Sequence, residues 1–369
     1  MNRSICRITA RNTMSERQTN PNRREFLTCS VAGAAATCCF AGAAAKEGRA
    51  AESETRRGAQ RLSVERLQQF EALRYGMFIS YDIQAFYPGR IHGKVSEEKR
   101  RIPASIYAPD KLDVNQWISV ARDAGMKYAV LTAKRHPGFC LWPSKHTDYT
   151  VANSGNKTDV VERFVKACEK CGVQPGLYYP SVDFHHLSGR RPEDDWKYVT
   201  SIHQTFMTNQ ITELLTGYGS IMEVWIDIPK VLGRGYRTFL YEHIARLQPN
   251  AVVLMNGGFH DGTKVPVDSV WPTDLLSLER TLPAKGFQKW KTVEGKEYYL
   301  PGEYCDSINP SWWWVQGEKP RDDQEVFKQF LACQAAGVNM LLDAPPDNHG
   351  LVPQATIDAL MRLRRNAKI

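Results

Sequence analysis

The most constraining feature of this sequence is an alternation, after residue 60, between short apolar runs and helix-length amphipathic segments. Short apolar runs predict buried strands, and apolar residues three and four apart predict helices. Strands are predicted at residues 75–80, 128–132, 175–179, 222–227, 252–255, 267–271, 299–303 and 338–343, and helices at residues 64–73, 114–124, 159–171, 194–216, 236–247, 322–336 and 356–365. Repeated βα units of this number predict an α/β fold, a single (β/α)8 TIM-like barrel domain spanning residues 63–369.

The run MEVWIDI at residues 222–228 predicts a strand buried on both faces, with the carboxylate of Asp227 at its C-terminal end. Active-site side chains in such barrels come from the C-terminal ends of the strands. Asp227 is therefore a candidate nucleophile or base. A second interpretation stays open, because an Asp in this place also caps loops by accepting backbone N–H groups.

The ends of the other predicted strands carry polar and aromatic side chains that would converge on the same mouth. They are the run KRHPGFCLW at residues 134–142, Asp183, His185, His186, Asn256, Trp271, Asp274, Glu303 and Asp343. Aromatic faces stack on the C–H face of a pyranose, and charged groups bind its hydroxyls. Two carboxylates flanking one pocket also suit glycoside cleavage. The pattern favours a sugar site.

Several of these residues have an ordinary structural interpretation as well. His136 is equally typical of a hydrogen-bonded structural histidine, and the run at residues 312–314, three tryptophans, suits either a sugar-stacking platform or the core. Since neither His-x-His nor His-Glu-x-x-His spacing occurs, we expect no metal ion and no other cofactor.

The first 45 residues resemble a twin-arginine export signal. Arg23 and Arg24 precede an Ala-rich apolar stretch that ends in small residues, a cleavage pattern near Ala45. The apolar part is too short for a permanent membrane anchor. We therefore expect a periplasmic or secreted protein. Residues 46–62 are predicted to be a disordered leader, since their composition is polar and charged.

Charge and cysteine content exclude two further classes of protein. The net charge of +8 falls to +4 once residues 1–45 are set aside, and no basic stripe interleaved with aromatics remains, so we expect no nucleic-acid partner. The five cysteines after residue 45 are sparse and odd in number, which argues against a disulfide framework. Nothing in the sequence indicates an oligomeric state.

The segment YAVLTAKRHPGFCLWPS at residues 128–144 resembles the signature segment of the α-L-fucosidases, glycoside hydrolase family 29. The likeness continues at TDY (147–149), DVV (159–161), GLYY (176–179), EVWID (223–227), GEYC (302–305), NMLLD (339–343) and PPD (345–347). It covers roughly residues 65–365. Its most specific part is the segment at the second strand.

This resemblance implies a glycoside hydrolase that acts by a retaining double displacement on a fucosylated oligo- or polysaccharide. Asp227 matches the family's nucleophile, and Glu303 lies in a segment similar to the one that carries the acid/base, with Glu279 as the reserve choice. The expected substrate-binding residues are Arg135, His136, Trp142, Tyr178, Tyr179, His185, Trp225 and Trp313. His136 matches the second of two adjacent sugar-binding histidines in the family.

The sequence also departs from the family pattern. Where the first strand of the family ends in His-Trp-Gly, residues 80–82 are Ser-Tyr-Asp, and the paired histidines have become Arg135-His136. One hypothesis is that Arg135 recognises an anionic sugar such as a sulfated fucose; the alternative is a structural ion pair. The chain is also expected to lack the C-terminal β-sandwich domain of many family members. The competing function is a catalytically silent carbohydrate-binding barrel.

Overall fold

Parallel strands form a nearly closed barrel in the computed structural model, which describes residues 56–87, 102–186 and 200–369. The barrel strands are β1 (Tyr75–Ile79), β2 (Tyr128–Thr132), β3 (Gln174–Pro180), β4 (Glu223–Asp227), β5 (Val252–Asn256), β6 (Leu276–Ser277), β9 (Gly302–Ser307) and β10 (Asn339–Asp343). Their order is β5-β4-β3-β2-β1-β10-β9-β6. The open edge between β5 and β6 is bridged by the amide of Asp274, which donates to the carbonyl of Val253 at 2.8 Å. The predicted (β/α)8-type barrel is confirmed.

Helices connect most of these strands and pack against the outside of the barrel. A first helix, α1 (Val64–Glu71), precedes β1. The helices outside the barrel are α2 (Val114–Asp123), α3 (Val160–Cys171), α4 (Ser201–Gly217), α5 (Arg234–Leu247), α6 (Asp323–Ala336) and α7 (Gln354–Ala367). Local sequence fixes several of their starts: Asp113 and Asp159 each accept a hydrogen bond from the third residue after them, as N-cap residues do. Because the strands are covered by helices outside and side chains inside, their residues are mostly buried and mostly apolar.

The barrel floor is closed by α1, which precedes the first strand. Leu67 and Phe70 are fully buried there, and the ring of Phe70 packs edge-on against Tyr128 with 5.7 Å between centroids. The amide of Asn339, at the start of β10, donates to the carbonyl of Phe70 at 2.9 Å. These contacts seal the N-terminal ends of the strands and leave the C-terminal ends for a site.

Two of the weaker strand predictions are wrong. Residues 267–271 form a short 3₁₀ turn at Val267–Ser269, and the sixth strand is the two-residue β6. The strand predicted at residues 299–303 begins later, as β9, because Tyr299 ends a separate antiparallel hairpin of β7 (Trp290–Val293) and β8 (Lys296–Tyr299). A loop and this hairpin thus replace two helices of the ideal barrel.

The prediction of a disordered leader at residues 46–62 is also wrong for residues 56–62, which are ordered. Arg61 forms an ion pair with Asp274 and donates to the carbonyl of Ala251 at 2.7 Å, while Leu62 is buried in the core. A polar composition predicted disorder, but a buried carboxylate in the barrel floor supplies the partner that orders this segment. The predicted export signal and residues 46–55 lie outside the described residues. No helix within the described residues is long and apolar enough to cross a membrane.

Candidate active site

A cavity of about 370 Å³ opens at the C-terminal ends of the strands. Its volume is that of a small-molecule pocket. Inward-facing aromatic side chains form its floor, and the loops after β2, β4, β5 and β6 form its rim. The lining residues are Phe78, Ser80, Thr132, Arg135, His136, Tyr178, Trp225, Asp227, Ile228, Lys230, Asn256, Gly257, Gly258, Glu279, Cys305 and Trp312.

Asp227 ends β4, and three side chains hold its carboxylate. The hydroxyl of Tyr178 donates to Oδ2 at 2.6 Å, and the amide of Asn256 donates to Oδ1 at 2.7 Å. Nε2 of His136 lies 3.2 Å from Oδ2. The side chain is 14% exposed, so it is fixed in place and still reachable from the cavity.

The backbone after Asp227 turns in an unusual way. Ile228 adopts φ 52° and ψ 48°, the left-handed region, which is costly for a β-branched residue. Its amide donates to the carbonyl of Asn256 at 2.9 Å, which ties the turn to the end of β5. With Ile228 in this conformation, the chain turns away from the strand direction immediately after Asp227, and the Asp227 carboxylate lies at the cavity wall.

Asn256 connects Asp227 to a second carboxylate, Glu279. Its Nδ2 also donates to Oε2 of Glu279 at 2.9 Å. Because bonds of 2.7 Å and 2.9 Å meet at one nitrogen, the two carboxylate oxygens can be no more than about 5.6 Å apart. The amide itself is locked, since its Oδ1 accepts from the hydroxyl of Ser277 at 2.7 Å and from the amide of Gly258 at 3.1 Å.

The environment shifts the pKa values of the two carboxyls in opposite directions. Burial tends to raise the pKa of Asp227, but hydrogen bonding and charge from His136, with the hydrogen bonds of Tyr178 and Asn256, bring that pKa below its ordinary value. Burial, and then the neighbouring charge of Asp227, raises the pKa of Glu279. Near neutral pH this favours an ionised Asp227 beside a Glu279 that holds its proton more strongly, the division of roles that acid and nucleophile require.

Arg135 forms another part of the cavity wall. Its guanidinium lies over the ring of Trp313, with 5.6 Å from Cζ to the centroid, and Nη1 is buried without a hydrogen-bond partner among the described residues. Its charge acts on the buried carboxyls of Asp82 and Asp343. Burial raises the pKa of Asp343 to about 7, against the lowering effects of Arg135 and of the Ser80 amide.

The sequence model of the alpha-L-fucosidase family matches residues 42–365. The chain belongs to the alpha-L-fucosidase family. It is 32% identical over 276 residues to "Alpha-L-fucosidase 1" of Arabidopsis thaliana, covering 69% of this chain and 51% of that protein. It is 34% identical over 268 residues to the human "Plasma alpha-L-fucosidase", covering 65% and 50%. The chain thus spans about half the length of these relatives.

A solved member of the alpha-L-fucosidase family shares the fold. "Alpha-L-fucosidase isoenzyme 1" from Paenibacillus thiaminolyticus superposes with a TM-score of 0.68 at 30% sequence identity, and the match covers 82% of this chain and 75% of that one. The match extends over most of the residues that the structure describes. The family resemblance inferred from the second-strand segment is therefore confirmed.

Six of the residues predicted from the family resemblance line the cavity. They are Arg135, His136, Tyr178, Trp225, Asp227 and Glu279. Asp227 is also no ordinary loop cap, because it accepts from the side chains of Tyr178 and Asn256 within the cavity. Burial, and to a smaller extent the negative charge of Asp227, raises the pKa of the Tyr178 phenol. The hydroxyl therefore stays protonated and donates to the carboxylate.

Glu303, the first choice for the acid/base, lies elsewhere. It is the second residue of β9, is fully buried, and pairs in register with Asn339 at the start of β10. The predicted strand ended at Glu303, whereas the observed strand begins beside it, so the side chain lies toward the barrel floor. Oε2 accepts from the hydroxyl of Tyr128 at 2.7 Å and Oε1 from the indole of Trp225 at 2.8 Å. The reserve residue, Glu279, is the one at the cavity.

Four predicted substrate-binding residues do not line this cavity. The buried indole of Trp142 donates to Oε2 of Glu213 at 3.1 Å, and the hydroxyl of Tyr179 donates to Gln210 at 2.6 Å. The ring of His185 stacks on Tyr149 with 3.9 Å between centroids. Trp313 lies behind Arg135 and lines a second cavity. Strand alternation explains Tyr179, which points to the helices because its neighbour Tyr178 points inward.

The sequence prediction gave no role to several residues that line the cavity. Asn256 was placed at a strand end, and its contacts with both carboxylates had no sequence signal. Phe78 is an inward-facing residue of β1, and Trp312 is the tryptophan of the triple run that faces this cavity. Lys230 adds an exposed ammonium group at the rim. Among residues 56–87, 102–186 and 200–369, no group of three or more His, Cys, Asp or Glu could hold a metal ion.

Glu303 makes a testable contribution to stability. Burial raises its pKa to about 7, so the native state keeps a proton that the unfolded chain releases above about 4.5. The contribution of this bound proton to the free energy of unfolding is fully present below pH 4.5 and is lost as the pH rises through 7. We expect the wild type to lose on the order of 2 kcal/mol of unfolding free energy between pH 5 and pH 8 through Glu303 and its buried neighbour Glu223, whose pKa burial also raises.

Glu303→Gln keeps acceptors for Tyr128 and Trp225 and should reduce that loss, measured by urea unfolding at both pH values. Glu65→Gln, at an exposed position of α1, is the matched control and should leave the loss unchanged. An equal loss in wild type and Glu303→Gln would contradict this assignment.

Proposed function

We propose that this protein is a retaining exo-glycosidase that hydrolyses terminal α-L-fucosyl residues of oligo- or polysaccharides by double displacement. One observation carries the proposal: a single Asn256 amide bonds both Asp227 and Glu279. Retaining glycosidases place their two carboxyl groups about 5–5.5 Å apart, whereas inverting enzymes leave room for a water molecule between them. The upper bound of about 5.6 Å set by the shared nitrogen suits retention.

In the first step, a carboxylate oxygen of Asp227 attacks the anomeric carbon and forms an ester bond. The bond from that carbon to the glycosidic oxygen breaks, and Glu279 donates its proton to the leaving oxygen. In the second step, Glu279 accepts a proton from water as that water attacks the anomeric carbon, and the ester bond to Asp227 breaks. Fucose leaves with its original anomeric configuration, and both carboxyls return to their starting states.

The hydrogen bonds around the pair support these roles. Tyr178 and Asn256 hold the carboxylate of Asp227 in its ionised form and fix its direction. Trp225 and Phe78 give the floor apolar faces against which the C–H groups and the methyl group of a fucose can pack. Nε2 of His136 lies 3.2 Å from Oδ2 of the nucleophile, at the cavity wall.

Replacing the two carboxyls tests this mechanism on 4-nitrophenyl α-L-fucoside with residues 46–369. Asp227→Asn should lower kcat/KM at least about 1,000-fold, because no ester can form. Asp227 must be ionised for attack and its pKa is lowered, so the acid limb of the pH profile of kcat/KM should lie below pH 4. Glu279 must be protonated to act as the acid, so its titration should set the alkaline limb of the same profile. Glu279→Gln should abolish that alkaline limb.

Asp268→Asn, an exposed aspartate in the loop before β6, is the matched control and should retain wild-type kinetics. Full activity of Asp227→Asn would contradict the mechanism. If the wild type binds fucosides without turning them over, the protein is instead a silent carbohydrate-binding barrel.

We further propose that Arg135 selects an anionic substituent on the sugar, such as a sulfate. Its Nη1 is buried at the cavity wall without a hydrogen-bond partner among the described residues. The ammonium group of Lys230 lines the same cavity. Burial raises the pKa of the Asp343 carboxyl to about 7, which reduces the negative charge of this group beside the guanidinium near neutral pH.

Arg135→Ala should lower the ratio of kcat/KM for a sulfated aryl fucoside to that for the plain fucoside by about 10-fold or more, because a bidentate guanidinium–sulfate pair is lost. Arg234→Ala, an exposed arginine at the start of α5, is the matched control and should not change the ratio. An unchanged ratio in Arg135→Ala would exclude anion selection by this residue.

We also propose that the protein is exported through the twin-arginine route and acts in the periplasm or outside the cell. The support is the order of Arg23-Arg24, an apolar stretch and small residues before Ala45. Changing both arginines to lysine should leave the full-length precursor in the cytoplasm of a bacterial host, while the wild type is recovered outside it with a new N-terminus near Lys46. Cytoplasmic retention of the uncleaved wild type would contradict this.

A further inference from the structure

A second cavity, of about 670 Å³, lies beside the first. Two segments build most of it: residues 84–87 after β1, and residues 311–318 after β9. The side chains that matter for its chemistry are Phe86, Tyr87, Trp313, Trp314, Gln316 and Asn348. A cavity of this size can hold more than one sugar ring.

The two cavities share a wall. Trp312 lines the first cavity, whereas its neighbours Trp313 and Trp314 line the second. The guanidinium of Arg135 lines the first cavity while lying over the ring of Trp313. The two cavities therefore meet at one layer of side chains.

The second cavity also lies on the side of the mouth away from Asp227. If β6 is counted as the neighbour of β5, so that the eight strands form a circle, β10 is four strands from β4 in both directions. It therefore lies opposite β4. Asp227 ends β4, and the second cavity is built from the segments that follow β1, β9 and β10. In an in-line displacement the leaving group departs from the face opposite the nucleophile, and so toward this side.

The lining suits an uncharged saccharide. Glu318 is its charged residue, and Ser311 already uses that carboxylate through its hydroxyl at 2.7 Å and its amide at 3.2 Å. These bonds close the loop on itself, and the hydroxyl of Ser307 anchors it by donating to the carbonyl of Ser311 at 2.8 Å. Trp314 is half-buried, and no aromatic ring among the described residues packs against its indole. A partly exposed indole face beside amide side chains is an arrangement that binds pyranose rings.

We propose that this second cavity is an aglycone subsite, in which Trp314 stacks on a neutral pyranose of the saccharide to which the fucose is attached. The proposal rests on the proposed fucosidase function and names the part of the substrate that is not cleaved off as fucose. It predicts that the enzyme favours oligosaccharides over substrates with no aglycone sugar, because binding energy from this subsite helps to position the glycosidic bond.

The test compares α-L-fucosyl fluoride, which has no aglycone sugar, with a panel of α-L-fucosylated di- and trisaccharides of different linkage. The measured quantity is the ratio of kcat/KM for the best oligosaccharide to kcat/KM for the fluoride. Trp314→Ala should lower this ratio by about 5- to 10-fold, the effect of one lost ring stack. Trp314→Phe, which keeps an aromatic face, should restore most of the ratio. Trp290→Ala, a partly exposed tryptophan of the β7–β8 hairpin, is the matched control and should leave the ratio at its wild-type value.

The outcomes separate this proposal from the one on which it rests. An unchanged ratio in Trp314→Ala, with a wild type that cleaves both substrates, would exclude the subsite and leave the fucosidase function intact. An equal fall in Trp314→Ala and Trp290→Ala would assign the effect to general loss of structure and would also overturn the subsite. A wild type inactive on the fluoride and on every oligosaccharide would refute the fucosidase function itself, and the subsite with it.

Discussion

The side-chain amide of Asn256 is the contact on which the rest of the site depends. It has two N–H groups and places a carboxylate on each, Asp227 at 2.7 Å and Glu279 at 2.9 Å. Its oxygen is fixed from behind by Ser277 and Gly258, so the amide cannot turn. One rigid group therefore sets both the separation of the two carboxyls and the direction in which each one faces.

Electrostatics then distinguishes two groups of similar chemistry. Asp227 receives three polar contacts, which outweigh burial and lower its pKa. Glu279 receives one of them and experiences the charge of Asp227 as well as burial, so its pKa rises. Unequal hydrogen bonding, burial and the mutual charge of the two carboxyls together separate their pKa values. The barrel contributes by closing its floor with α1 and by holding Trp225 through Glu303.

Much of this could be predicted from the sequence, and the failures have a common cause. Strands β1 to β5 and β10 are long apolar runs between amphipathic helices, and their predicted positions agree with the structure within about two residues. Strand β6 has only two residues, and residues 267–271, which were predicted as a strand, lie just before it. Periodicity cannot identify so short a strand. Because the strand at residues 299–303 was misplaced, Glu303 was assigned to the mouth of the barrel, and its resemblance to the family's acid/base segment made Glu279 the reserve choice.

Side-chain direction limited the remaining predictions. The sequence indicated that tryptophans and tyrosines gather near the strand ends, but a loop has no fixed period, so it could not decide which of the residues 312–314 faces the pocket. Long-range partners were equally invisible: Arg61 is ordered by Asp274, which is 213 positions away, and a polar stretch therefore looked disordered. The predicted position of Asp227 at the end of an apolar strand agrees with the structure, and its role as nucleophile stays a prediction.

The account predicts a covalent intermediate on one residue, so the most direct measurement is trapping with 2-deoxy-2-fluoro-α-L-fucosyl fluoride. The fluorine at C2 slows both steps, and the fluoride leaving group lets the ester form faster than it is hydrolysed. Peptide mapping by mass spectrometry should find the deoxyfluorofucosyl adduct on Asp227, with no adduct in Asp227→Asn. An adduct on Glu279 or another carboxylate, or turnover with inverted anomeric configuration and no adduct, would contradict the account.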